Sequence, residues 1–245
     1  MSKQPVHTAI CINFANLKRL NKNKIIMKRL LAISALAIAM LAGGKSFAQI
    51  SIRAGFAPET WKTTSSGSSS TSTTNLNGVF VGAHYNLNLT GDLNVSLGAQ
   101  YRFNFSTEKG TGDLLGITSA SIEAKNTQSV IDVPVLLNYG LDLTEGLRLS
   151  LFAGATLNFA MAGNTHYTVT GTVLSISKTV ESDYDWYGEN SDNDPLNLSA
   201  TFGLNLTYMK FSLFGGYNMG LLDMNKSDKV KTTTGAYFVG LGFNL

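Results

Sequence analysis

Between residues 49 and 245, apolar and small or polar positions alternate in eight separate stretches. The clearest runs from Leu93 to Phe105. Leu93, Val95, Leu97, Ala99, Tyr101, Phe103 and Phe105 share one face, while Asn94, Ser96, Gly98, Gln100, Arg102 and Asn104 share the other. A period of two means a β-strand, because successive side chains leave opposite sides of the pleat. The same alternation predicts strands over 49–57, 77–89, 93–105, 129–143, 147–162, 196–208, 211–222 and 235–245. No stretch of comparable length favours the helical period.

The connections fall into two kinds. Thr90-Gly91-Asp92, Thr144-Glu145-Gly146 and Met209-Lys210 are tight reversals. Between them lie long segments, 58–76, 106–128, 163–195 and 223–234. If the first strand runs outward, every tight turn lies at one end and every long loop at the other. That asymmetry marks a membrane barrel with short periplasmic turns and longer extracellular loops. The strand phase carries through each turn, pairing Leu89 with Leu93, Leu143 with Leu147 and Tyr208 with Phe211 on the apolar side. Within the loops, 63–74 is Ser and Thr except for Gly67, which predicts a mobile segment with nothing to bury. The loop 163–195 starts with alternation around Gly171, which predicts a hairpin standing above the membrane.

Side-chain size decides which face points inward. The lumen of an eight-stranded barrel takes only modest side chains, and dozens of Leu, Phe and Tyr would overfill it. The Gly/Ser/Asn face therefore belongs inside and the Leu/Tyr face against lipid. Strands of about 10–13 residues, tilted, span roughly 25 Å, which matches the apolar band of such barrels. A two-sheet sandwich is the competing arrangement, since it too buries one apolar face per sheet. It gives no reason for the alternation of loop lengths.

The start of the chain changes the composition. Met27-Lys28-Arg29, a run over 30–41 of Leu, Ala, Ile, Met and one Ser, and Ser46-Phe47-Ala48 have the form of a secretory signal peptide over 27–48. Residues 1–26 are then expected to lie upstream of the true start at Met27. Eight of the 19 Lys and Arg precede Gln49, while all 16 Asp and Glu follow it. The exported part thus has 11 basic against 16 acidic residues, a net charge of about −5 in place of the nominal +3. Nothing in this balance points to nucleic acid. The one cysteine, Cys11, lies in the discarded part, so thiol and disulfide chemistry are absent from 49–245.

Val133-Pro134-Val135-Leu136-Leu137-Asn138-Tyr139, followed by Leu151-Phe152-Ala153-Gly154-Ala155, resembles the PorT-like "porin family" outer-membrane β-barrel domain. Ala155 stands where that family often has Pro. The resemblance implies an outer-membrane protein and brings no catalytic residues. Pro134 has its own physical reading: without an N–H it marks a bulge or a break in the ladder. The predicted fold is an all-β, eight-stranded, antiparallel up-and-down transmembrane β-barrel of OmpA/OmpX-like architecture over 49–245.

Candidate chemistry is sparse. Arg53, Arg102, Asp132, Asp142 and Arg148 fall on the inward face and are expected to form a structural charge network closing the lumen, because isolated buried charges pay heavy desolvation. Asp142 sits opposite Arg148 across a turn, so its removal is expected to destabilise the barrel. His84 and His166 are the only histidines after the leader, and no nucleophile–base–acid spacing accompanies them. His84 reads as a packed lumen residue and the protein as a non-enzyme. Six acids over 181–194 lack the ligand spacing and glycine of a calcium loop, so they read as a solvated surface; no metal and no cofactor is predicted. The implied partners are outer-membrane lipids, the barrel-assembly machinery and an extracellular or envelope protein met by the loops, with the barrel itself a monomer. The function reads as structural or interactive around a plugged lumen. A narrow channel for small solutes, or a membrane component of a secretion system, are the alternatives.

Overall fold

The computed structural model describes residues 48–65, 71–114, 118–173, 176–187, 191, 193–227 and 229–245. The expected upstream segment 1–26 and all of the expected signal peptide except Ala48 lie outside the described residues. The strands are β1 (Ala48–Phe56), β2 (Glu59–Ser65), β3 (Thr71–Thr90), β4 (Leu93–Leu114) and β5 (Thr118–Thr144), followed by β6 (Leu147–Val173), β7 (Ile176–Asp185), β8 (Leu196–Tyr208), β9 (Phe211–Gly220) and β10 (Val230–Asn244). No described residue is helical.

Eight staves close a ring. β1 pairs with β3, and the order continues through β4, β5, β6, β8, β9 and β10 back to β1, every pair antiparallel. β2 continues the first stave beyond Ala57-Pro58, between the same two neighbours, β10 and β3. Closure excludes the sandwich. Alternate residues now have opposite fates. Val81, Leu151, Leu204 and Leu241 are 52–68 % exposed, whereas Ser51, Ser96, Asn104 and Thr201 are at most 4 % exposed. The apolar face is the outer one, and the barrel turns its polar face in.

Three loops expected to be irregular are strands instead. Residues 106–114 and 118–128 continue β4 and β5 as a ladder, Glu59–Thr64 pairs with Thr71–Leu76, and 230–234 opens β10. The Ser/Thr segment expected to be mobile is therefore mostly paired, with Thr63 opposite Ser72 and Thr64 opposite Thr71; residues 66–70 lie outside the described ones. Its β-branched threonines suit a strand, and inter-strand bonds satisfy the backbone without a hydrophobic face. The hairpin expected within 163–195 is β6–β7. Above the ring, β4, β5, β6 and β7 thus form a four-stranded sheet about 30 Å tall at the usual rise per residue.

The turns differ in detail from expectation. Tyr208 does pair with Phe211. The other two turns are two-residue loops, closed by Thr90↔Leu93 and Thr144↔Leu147, with a register shift that leaves out Leu89 and Leu143. Gly91 and Gly146 take positive φ of 46° and 78°, the left-handed conformation such turns need. Leu89 and Leu143 still point outward, 57 % and 52 % exposed, so the face survives while the partner changes. Opposite Pro134 the β4–β5 ladder skips Gly98 and Ala99, between the pairs Leu97↔Val135 and Gln100↔Asp132. The missing proline N–H accounts for that gap. A side chain at Gly98 would sit 2.8 Å from the Pro134 ring and 2.9 Å from His84.

Candidate functional site

From the loop end inward, the lumen is filled by three unlike groups of side chains. The first is an aromatic cap: Trp61 from β2, Leu76 from β3, Trp186 just past β7, and Met224, with Tyr187 against them. The two indoles lie 5.3 Å apart and tilted. Both indole N–H groups are satisfied, Trp61 donating to Glu59 (3.0 Å) and Trp186 to the Thr165 hydroxyl (2.7 Å). Burial raises the Tyr187 phenol above its ordinary pKa, against a 2.6 Å hydrogen bond donated by Gln128.

Under the cap lies a charge network. Arg102 donates to both oxygens of Asp132, at 2.9 and 3.3 Å, and is ion-paired to Glu59 on its other side. All three are at most 6 % exposed. Two carboxylates around one guanidinium leave an excess negative charge, which neutral donors disperse. Asn104 donates to Glu59 (2.8 Å), and Asn158 donates to Asp132 (2.7 Å) while accepting from Ser199 (2.6 Å). Such a network is tolerable only because nearly every member is satisfied.

The third group is aromatic again. Phe80, Phe152, Phe214 and Phe238 point inward, with ring centroids 6.1–6.4 Å apart from one to the next. On β6 Phe152 precedes Asn158, and on β10 Phe238 follows Ala236, the partner of Glu59, so these rings lie nearer the turns, while Phe80 is paired with Arg102 itself. Each phenylalanine is paired across the ladder with a glycine: Phe80 with Gly55, Phe152 with Gly203, Phe214 with Gly240 and Phe238 with Gly216. A methyl at those glycines would meet the partner ring at 2.8, 2.5, 2.6 and 2.7 Å respectively. The glycines are the floor on which the rings lie, the known cross-strand covering of glycine by an aromatic. Small residues on the inward face therefore do not leave the lumen empty.

The five charges expected to act together fall into three places. Arg102 and Asp132 meet, with Glu59 as a partner hidden in a segment that reads as loop. Arg53 is buried without a carboxylate within 4 Å among the described residues; its guanidinium carbon lies 5.0 Å from the Phe214 ring centre, a cation–π contact, and its Nε has no hydrogen-bond partner. Asp142 and Arg148 do pair, at 3.2 Å, but at the open turn end, where their side chains are 67 % and 31 % exposed. Arg148 also reaches Asp92 at 3.4 Å. One network closing the lumen is not formed: Asp142 and Arg148 lie at the exposed turn end, apart from the buried Arg102 and Asp132. His84 is buried between the Ser96 hydroxyl (3.0 Å) and Gln100 (2.7 Å).

Described residues of the lumen line two small cavities, of about 20 Å³ beside Glu59, Arg102 and Asn158, and about 30 Å³ beside Arg53, His84 and Phe214. Each has room for a water or two. Arg102 lines both, so the guanidinium stands between them. No described cluster of His, Cys, Asp and Glu has the geometry to hold a metal ion.

A closed eight-stave ring, lipid-facing outside and packed inside, agrees with a family model for the outer membrane protein beta-barrel domain, which matches residues 44–226. The chain belongs to that family. It is therefore a protein of the cell outer membrane, in a lipid environment; barrels of this kind keep their short turns periplasmic and their long hairpins outside the cell. Solved structures similar to it include Ail, the attachment invasion locus protein of Yersinia pestis, at 14 % identity over 82 % of this chain and 100 % of that one, with a TM-score of 0.32. Neisserial surface protein A (NspA) is 13 % identical over 82 % of this chain and 100 % of its own, TM-score 0.35. The N-terminal barrel domain of Pseudomonas aeruginosa OprF is 13 % identical over 78 % and 97 %, TM-score 0.25. No curated protein matches the chain. Family members carry an aromatic girdle at the membrane boundary; here Phe211 and Phe243 lie 5.4 Å apart at the periplasmic edge, with the Lys210 ammonium 5.8 Å above Phe243.

Proposed function

We propose that this protein acts at the cell surface through its extracellular sheet, on a barrel that serves as a closed, rigid mount. The observation that carries this reading is the filling of the lumen, by the Trp61–Trp186 cap, the Glu59–Arg102–Asp132 network and the four phenylalanines in series. A solute following the axis has to displace all three. The extracellular part, by contrast, is built as ordered strand and presents its surface to the medium. Within this reading the 27–48 signal peptide directs export, the barrel-assembly machinery inserts the chain as a monomer, and no reaction is catalysed. The Val133–Tyr139 and Leu151–Ala155 motifs support a PorT-like assignment inside the family.

Conductance in planar bilayers tests the closed lumen. The purified protein is expected to give no discrete openings at moderate voltage. Reproducible unitary steps that disappear when the barrel is heat-unfolded overturn the reading in favour of the narrow channel.

A further inference from the structure

Strand β7 is the edge of the extracellular sheet: it pairs with β6 and with no other described strand. Residues 179–185 of it are all exposed. An edge strand offers a row of unpaired N–H and C=O groups to any extended chain that can reach it. Its two faces are sharply different. Glu181, Asp183 and Asp185 lie on one, Val180, Ser182 and Tyr184 on the other. Val180 completes an apolar row with Val169 and Ile122 across three strands, each more than a third exposed. On the opposite face Asp183 meets His166 at 2.8 Å and Asp185 accepts from Asn164 at 3.2 Å, yet Asp183 keeps 66 % of its side chain in water. Glu181 has no cationic partner among the described residues.

These features select the occupant. A second copy of β7 is disfavoured: antiparallel pairing that keeps Val180 and Tyr184 on one face sets Glu181 opposite Asp183, and like charges directly opposite destabilise a ladder. The other free edge of this sheet, β4 from 106 to 114, is guarded differently, by Lys109 held in an ion pair with Glu123 (3.3 Å) and by Gly110 and Gly112. We propose that β7 receives, by strand addition, an extended segment of another protein in which Lys or Arg alternates with apolar residues. The basic residues would lie beside Glu181, Asp183 and Asp185, and the apolar ones would extend the Ile122–Val169–Val180 row. This inference rests on the surface-interaction reading above and names the partner's chemistry.

The test uses the whole exported protein in detergent and a fluorescent nonapeptide alternating Lys with Val and Thr, read by anisotropy. Saturable binding that weakens with salt is expected. Replacing Lys by Glu should abolish it, and N-methylating alternate backbone amides should weaken it about tenfold while leaving charge untouched. Equal binding of the methylated peptide overturns strand addition, and so does equal binding of the Glu peptide. In the protein, the Glu181→Lys, Asp183→Lys, Asp185→Lys triple variant should exchange the preference for that of the Glu peptide. The peptide comparisons stand on the unmodified protein if that variant fails to fold. Absence of peptide binding by a non-conducting barrel sinks this inference alone; discrete conductance in a barrel that still binds the peptide sinks the closed-lumen reading alone.

Discussion

Near the mouth, the lumen is filled by Arg102 held between Glu59 and Asp132; nearer the turns it is filled by four phenylalanines lying on four glycines. Both fillings occupy most of the lumen, but they fail differently. A charge network is stable only as a complete set, since any member removed strands the others in a low-dielectric space. The aromatic layer is a packing arrangement in which each ring contributes in proportion to the contacts it makes, and a missing ring leaves a cavity, not an uncompensated charge. Mutations near the mouth should therefore be strongly non-additive, and those in the aromatic layer more nearly additive where they do not touch.

The largest effect is expected at Arg102. Arg102→Met leaves Glu59 and Asp132 buried and unpaired, at a cost of about 3–5 kcal/mol. Urea-induced unfolding in detergent, followed by the loss of the fast-migrating unboiled band, measures it. The comparison is sharpened by adding Glu59→Gln and Asp132→Asn to the same chain. If the network is satisfied as a unit, the triple variant regains much of the lost stability; if each substitution adds its own loss, the network picture is wrong.

Phe214 is the matching position among the phenylalanines. It touches Phe80 and Phe238 at 6.1 and 6.4 Å and carries Arg53 on its face. Phe214→Ala is expected to cost about 3 kcal/mol, the usual range for emptying a packed aromatic site. The same variant enlarges the 30 Å³ cavity and uncovers Arg53. Current noise in bilayers should rise without full opening, because the cap and the Arg102 network remain in place. Full conductance from this single substitution would mean that the aromatic layer alone closes the barrel.

How far these two fillings could be read from the chain follows from their chemistry. The ring of eight strands was legible because lipid and lumen impose a period of two on every stave, and the three tight turns preserve its phase. Arg102 and Asp132 were legible for the same reason. Glu59 was not, because the proline after Ala57 breaks the alternation and makes β2 look like loop. The phenylalanines were visible as residues in the inward phase, Phe80 between Val79 and Val81, Phe152 between Leu151 and Ala153. What hid their role was register: that each faces a glycine depends on pairings between strands, which hydrophobic alternation in one strand does not encode. The Ser/Thr hairpin was hidden for a further reason. Its strands are stabilised by backbone ladders and threonine side chains such as Thr63 and Thr232 (3.3 Å), with little apolar signal to reveal them.

The smallest effect separates burial from pairing. Asp142 and Arg148 have the opposite charges and cross-strand placement expected of a lumen salt bridge, but they lie at the periplasmic opening. Water screens the pair there, and an exposed pair contributes about 0–1 kcal/mol. Arg148 moreover keeps Asp92 at 3.4 Å and the Gly140 carbonyl at 3.4 Å when Asp142 is removed. Asp142→Ala should therefore shift the unfolding midpoint far less than Arg102→Met, and raising salt should shrink the shift further. The ion pair expected from the sequence is present, and its exposure makes the expected destabilisation a small one. A loss comparable to that of Arg102→Met, undiminished in high salt, would show instead that the turn end is as dry as the mouth, and the contrast between the two ends of the lumen would then collapse.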